Sequence, residues 1–302
     1  MIRYARSSDT PALRALWEQG FGGEEPYISW YFDQVYRPER TLVEAEFGVI
    51  RSALQLAPYI LQLRGRARRA AYVVGVVTAP EHRGLGLSSA LLRHALGQLG
   101  QAGYELALLY TDLPDFYARL GFTPCYSLRR LCFKSAAEAA PAMWRQARPT
   151  PEDLRQCDRI YRRTCAQLEG YILRSPENWR VYTADWLSGG HGGLYLNQSS
   201  YILTDSDSSG FRVKELGYSD ANSLRAALDY AARLAAEAGF THFTWDAPQT
   251  APLPPQAGEK EIPWVMARIG GWQEHQTPQE AAAATRELLG APDPRLWIGE
   301  MT

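Results

Sequence analysis

The chain has 302 residues, enough for two domains, and 46% of them are hydrophobic, so it can bury sizeable cores. A formal net charge of −1 gives no basic footprint for a nucleic acid or an anionic membrane. No apolar run approaches the roughly 20 residues that span a bilayer, and Met1-Ile-Arg-Tyr-Ala5 has no signal-peptide core, so a cytoplasmic protein is expected.

Met1–Tyr4 reads as a short strand. Asp9-Thr10-Pro11 starts a helix, with a polar cap before a first-turn proline, and Gly20 is the expected stop. A second helix follows the Phe21–Pro26 loop through Tyr27, Trp30, Tyr31 and Phe32. Residues 41–47 and 49–63 alternate as a hairpin, and the arginine-rich 64–69 reads as a solvated loop tip. Ala71–Val77 is an apolar, β-branched run, hence a buried strand, and Pro80 stops its ladder. A helix then opens from Arg83-Gly-Leu-Gly-Leu-Ser88, with Leu85, Leu92, Leu96 and Leu99 on one face. Strands are expected at 104–110 and 122–133, with a short helix carrying Tyr117 between them.

Residues 135–149 read as an alanine-rich linker. Thr150-Pro-Glu-Asp153 and Ser175-Pro-Glu-Asn178 start helices, strands follow at 194–197, 201–205 and 211–217, then a long helix from Leu224 and a strand at 241–246. That order repeats the first 134 residues. Beyond the proline-rich 251–255, a strand (263–269), a helix capped by Thr277-Pro-Gln-Glu280 and a final strand from Arg295 complete the chain.

The turn at 83–88 carries the chemistry. Gly84 and Gly86 permit backbone angles closed to other residues and let a ligand approach the main chain. The first-turn amides of the following helix have no internal partners and lie at the positive end of its dipole, which makes a phosphate cradle. A plain strand-to-helix turn is the bland alternative. A dinucleotide fold would need a third glycine where Ser89 stands, and a Walker loop would need Gly-Lys-Ser/Thr, which is absent. The cysteines Cys125, Cys132, Cys157 and Cys165 form no Cys-x-x-Cys pair, and the five histidines have no ligand spacing, so reduced thiols and no metal are expected.

The order Val-x-x-Pro-Glu-x-Arg-Gly-x-Gly-x-Ser resembles the acetyl-CoA pyrophosphate motif of GNAT-type N-acetyltransferases, with Ser88 where Gly or Ala is usual. Phe116-Tyr-Ala-Arg-Leu-Gly-Phe122 resembles a second segment of the same family. The whole order, with no Arg-x-x-Gly-x-Gly before Leu224, resembles the Eis-like tandem acetyltransferases with a shortened C-terminal domain. The resemblance implies an α/β (α+β) class with two GNAT folds, mixed sheets flanked by helices. The boundaries would be a catalytic domain over 1–134, a linker over 135–149, a degenerate copy over 150–250 and a tail subdomain over 251–302.

It implies acetyl-CoA as cosubstrate, a small polyamine- or aminoglycoside-like amine or a lysine side chain as acceptor, and a homo-oligomer. The cofactor would be held by Val76, Val77, Thr78, Arg83, Gly84, Leu85, Gly86, Leu87, Ser88 and Ser89, with Asp112 and Leu113 closing over it. Tyr117 would be the general acid, since a phenol with pKa about 10 is protonated at neutral pH. The base would be the Thr302 carboxylate, with the neighbouring Glu300 or Glu24 and Glu25 as other candidates, and Glu24, Glu25, Tyr27, Trp30 and Tyr31 would flank the acceptor amine. His82 reads as a surface residue. Two rival readings are a non-catalytic acyl-CoA-binding module and transfer of a longer acyl group.

Overall fold

In the computed structural model, residues 1–22, 25–137, 143–188, 192–254, 259–271, 276–290 and 296–297 are described. They fall into two compact units. The first comprises Met1–Tyr126 with the segment from Trp264 through α8, and the second comprises Ser127–Pro263 with residues 296–297.

The first unit holds β1 (Ile2–Tyr4), α1 (Thr10–Phe21), α2 (Glu25–Gln34), β2 (Thr41–Glu46), β3 (Val49–Leu63), β4 (Arg66–Thr78), α3 (Leu87–Gln101), β5 (Leu106–Leu109), α4 (Pro114–Ala118) and the start of β6 (Thr123–Lys134). β1 to β4 form an antiparallel meander, and β4 then pairs in parallel with β5 through α3. The second unit holds the rest of β6, then β7 (Arg145–Ala147), α5 (Pro151–Thr164), β8 (Gly170–Leu173), α6 (Pro176–Leu187), β9 (Gly193–Leu196), β10 (Ser200–Asp207), β11 (Gly210–Tyr218), α7 (Ala221–Glu237) and β12 (His242–Pro248). Its plan is the same: β7, β9, β10 and β11 are antiparallel neighbours, and β11 pairs in parallel with β12 through α7. The chain ends with β13 (Lys260–Ile269), α8 (Pro278–Leu289) and β14 (Leu296–Trp297).

Each sheet is completed by a strand from elsewhere in the sequence. In the first unit β13 pairs antiparallel with β5, Met266 opposite Leu109 and Ile269 opposite Leu106. In the second, the later half of β6 pairs antiparallel with β12, Phe133 opposite Phe243. The division therefore differs from the expected boundaries. The segment from Trp264 is not a separate tail but part of the first sheet, because β13 pairs with the edge of β5 that β4 leaves free. Within the expected linker, Arg145–Ala147 is a strand that pairs with β9.

Three local expectations also change. α1 runs through Gly20 and stops at Gly22, whose φ is +59°. Gly20 serves close packing instead, since a Cβ there would lie 2.2 Å from Val77 Cγ2. The arginine-rich tip is only Arg64-Gly65, and Arg66–Arg69 already belong to β4. Leu85 is 64% exposed in the turn before α3, while Leu91, Leu92, Ala95, Leu96 and Leu99 are buried against β2, β3 and β4. β8 was not foreseen, since four residues are too few to establish a period.

The second unit keeps an ionic core. The Arg174 guanidinium donates to both Glu215 carboxylate oxygens at 2.6 and 2.7 Å, and the Tyr182 hydroxyl donates to the same carboxylate at 2.8 Å. Nearby, burial raises the Asp185 carboxyl to about 7, against a smaller opposing pull from Lys214. The folded state thus holds this proton more tightly than the unfolded chain. The resulting stability is complete below about pH 4 and is lost as pH rises through about 7. Asp185→Asn is expected to raise Tm by about 3 °C or more near pH 8, with a smaller gain near pH 5. Thermal melts at the two pH values check this, and an equal shift at both would remove the assignment.

Candidate active site

The site is built where β4 leaves its neighbours. Against β3 its register slips: Ala53 faces Val77 while Gln55 faces Val74, so Gly75 and Val76 together stand opposite Leu54. This is a β-bulge, which bends and twists the strand. Gly75 has a φ of +61°, and a Cβ there would lie 2.2 Å from the Trp17 ring. Only glycine satisfies both the angle and the close approach of α1. On the other edge, β5 pairs with β4 only opposite Ala70–Tyr72. Among the described residues, the end of β4 from Val73 to Thr78 has no strand beside it on that side. Its peptide groups can therefore pair with an extended, amide-bearing ligand.

The turn into α3 supplies the second part. Gly84 and Gly86 have φ of +80° and +75°, and a Cβ at either would meet nothing within 4 Å. Their value is the left-handed backbone and the open space above it. Gly86 is the N-cap of α3 and offers no side-chain cap. By contrast, α5, α6, α7 and α8 are capped by Thr150, Ser175, Asp220 and Thr277, each accepting from a first-turn amide. The first-turn amides of α3 are thus left free to hold an anion. Ser88, the unusual residue of the motif, has a use: its hydroxyl bonds to Thr78 Oγ1, which bonds to Ser52 Oγ at 3.0 Å. Ser52 in turn donates to the Val77 carbonyl at 2.8 Å. These hydroxyls tie the first turn of α3 to the end of β4. Arg83 is exposed and its Nε donates to the Thr78 carbonyl at 3.3 Å, bracing the turn.

Bulge, turn and α4 enclose one cavity of about 720 Å³, within the range of small-molecule sites. Of the expected cofactor residues, Val76, Val77, Thr78, Arg83, Gly84, Gly86, Leu87, Ser88, Ser89 and Leu113 line it, and so does Tyr117. Leu85 does not, because it points to solvent. Asp112 does not either; it is exposed and accepts from the Tyr110 hydroxyl at 3.2 Å. Sequence reasoning missed Gly20, Phe21, His82, Phe116 and Arg119. His82 is half-buried in this wall rather than a bystander on the surface. Phe116 and Arg119 stand in the same motif as Tyr117, so the signal was present. Gly20 and Phe21 come from another helix and had no local signal.

Tyr117 is 8% exposed, with Phe116 and Phe122 edge-on at ring distances of 4.9 and 5.8 Å. Burial pushes its phenol up to about 12. Among the described residues its hydroxyl has no hydrogen-bond partner, which leaves the proton to a ligand in the cavity.

The expected acceptor residues are not assembled in this cavity. Tyr31 is 1% exposed and stacks on Trp17 at 4.1 Å, so it serves the packing of α2 on α1. Tyr27 packs on Trp30 at 5.8 Å, and neither lines the cavity. Of this aromatic stripe Tyr31 is core, while Tyr27 and Trp30 are partly exposed. Glu24, the Glu25 side chain and Thr302 lie outside the described residues.

The second unit lacks the cradle for a physical reason. At the matching position before α7, Asp220 places its own carboxylate on the Ser223 amide at 2.8 Å. The anion site of that helix is filled by the chain itself.

Residues 1–125 match the family model of the acetyltransferase (GNAT) domain. No curated protein sequence matches the chain. Among solved structures, a probable N-acyltransferase from Enterococcus faecalis V583 superposes with a TM-score of 0.73 at 16% identity, over 90% of this chain and 72% of that one. A GCN5-related N-acetyltransferase from Anabaena variabilis gives 0.73 at 17% identity, over 89% and 72%. Eis1 from Mycobacterium abscessus gives 0.68 at 18% identity, over 88% and 73%. At such identities the likeness speaks for the fold, and the family match speaks for the first unit. The chain therefore carries an acetyltransferase (GNAT) domain over residues 1–125.

Proposed function

We propose that the chain transfers an acetyl group from acetyl-CoA directly to a primary amine, with no acyl-enzyme. One observation carries the reading: an uncapped helix N-terminus, a strand end open for pairing and Tyr117 meet in one cavity. The coenzyme pyrophosphate would sit on the amides of residues 86–89. The ionisable side chains lining the cavity besides Tyr117 are His82, Arg83 and Arg119, and no carboxylate joins them among the described residues. That charge suits a polyphosphate. The pantetheine amides would pair with the backbone at Val76–Thr78, and a strand-end N–H would polarise the thioester carbonyl.

In the reaction, the neutral amine nitrogen attacks the thioester carbon. The C–S bond breaks, the thiolate takes the Tyr117 proton, and the ammonium proton is lost to solvent. The acceptor is proposed to be a small polyamine- or aminoglycoside-like compound or a lysine side chain, which presents such an amine.

The test is CoA release from acetyl-CoA across a panel of small polyamines, aminoglycosides and lysine peptides, repeated with propionyl-, hexanoyl- and myristoyl-CoA. Amine-dependent thiol release, fastest with acetyl, is expected. Binding of acetyl-CoA without release for any amine would instead favour a binding module, and a long-chain optimum would favour the other acyl reading.

A further inference from the structure

Arg268 lies on β13, more than a hundred residues after the matched domain, opposite Ala107 of β5. It is 1% exposed, among the largest fully buried side chains of the chain. Burying a guanidinium is expensive unless its donors are met. Here they are met by backbone around α4 and β13. Nε donates to the Leu120 carbonyl at 2.9 Å, and one terminal nitrogen donates to the Ile269 and Gly271 carbonyls at 2.9 and 2.6 Å. The other terminal nitrogen donates to Gln276 Oε1 at 3.3 Å.

The Leu120 bond matters because residue 120 is itself tied to Tyr117. The Leu120 amide donates to the Tyr117 carbonyl at 2.9 Å, and the Phe122 amide donates to the same carbonyl at 3.2 Å. Both ends of residue 120 are thus fixed, one to Tyr117 and one to Arg268. Beyond it Gly121 turns the chain at a φ of +83°, and a Cβ there would lie 3.1 Å from Arg268 Nε and 2.8 Å from Ala281 of α8. The last turn of α4 is therefore held against β13 and α8 by one guanidinium and one close approach. α4 has only five residues and cannot hold itself.

We propose that Arg268 is a positioning residue for Tyr117: by holding the Leu120 carbonyl it fixes the end of α4 and aims the Tyr117 hydroxyl into the cavity. This rests on reading Tyr117 as the proton donor. It also assigns the segment from Trp264 a part in the first unit's site rather than in a separate domain.

The test compares R268Q and R268K with the wild-type chain, each alone and with Tyr117→Phe. The readouts are kcat, KM for acetyl-CoA, and hydrogen exchange of peptides covering 114–122. R268Q is expected to lower kcat about 20-fold or more, with KM within about threefold, since the cradle at Gly86 is untouched. R268K keeps the charge and a comparable reach and is expected to recover part of the loss. In the Tyr117→Phe background R268Q should cost less than about twofold more, because two groups acting as one unit are not additive. Exchange should quicken in 114–122 and stay unchanged across β1–β3.

Unchanged kcat in R268Q, or an equal fold-loss with and without Tyr117, overturns the proposal, as does a loss of protection spread over the whole first unit in both variants. If R268Q does not fold, R268K carries the same comparison. If the wild-type chain transfers no acetyl group, the role of Tyr117 fails. Faster exchange confined to 114–122 then still supports the brace, and unchanged exchange removes it.

Discussion

Gly86→Asp is expected to weaken acetyl-CoA binding by about 100-fold or more, which corresponds to about 2.7 kcal/mol. The variant sets at the N-terminus of α3 the residue type that caps α7, where the Asp220 carboxylate occupies the Ser223 amide. Two effects add. The carboxylate caps the first-turn amides that the pyrophosphate would use, and its charge repels the phosphates. Gly86→Asn separates the charge from capping and backbone strain. Asn is nearly the same size, tolerates a φ of +75° about as well, and carries no charge. It is expected to lose about tenfold or less. Titration calorimetry with acetyl-CoA on the three proteins decides the matter. An affinity for the Asp variant within about threefold of wild type would mean that the cofactor phosphates lie elsewhere.

Tyr117→Phe is expected to lower kcat by about 100- to 1,000-fold and to leave acetyl-CoA affinity within about twofold, as befits a proton donor that acts in the transition state. The ring keeps its contacts with Phe116 and Phe122, so packing is preserved and only the hydroxyl is lost. The pH dependence follows from burial. With its phenol pushed up to about 12, Tyr117 stays protonated through the neutral and mildly alkaline range. The wild-type kcat should therefore show no alkaline limb from this group below about pH 10. For stability the sign is the same as for any raised pKa: the contribution is present below about pH 10 and is lost as pH rises through about 12. Steady-state kinetics from about pH 6 to 10 test the kcat statements, and a kcat for Tyr117→Phe equal to wild type removes the acid role.

The cradle was legible because its determinants are consecutive. Gly84 and Gly86 set the turn, Pro80 ends the ladder, and the α3 leucines recur at helical spacing. The strand–turn–helix needs nothing from the rest of the chain to be recognised. Leu85 departs from its expected place for a complementary reason. It continues the leucine period backwards into a stretch whose glycines at positive φ have already broken the helix. Tyr31 departs because a half-apolar helix does not announce which face its neighbour will take. Trp17 of α1 took it.

The amino-acid order by itself determined the two repeats of the plan, the phosphate-type turn in the first and its absence in the second, and the segment that carries Tyr117. These depend on local backbone angles, capping and periodicity, which act over a few residues. Only the tertiary structure decided where the bulge at Gly75 opens β4, which residues of α1 reach the cavity, and that β13 completes the first sheet. Pairing of strands more than a hundred residues apart depends on which sheet edge is free, and no local pattern encodes that. The placement of Arg268 beneath the helix of Tyr117 follows from that pairing alone.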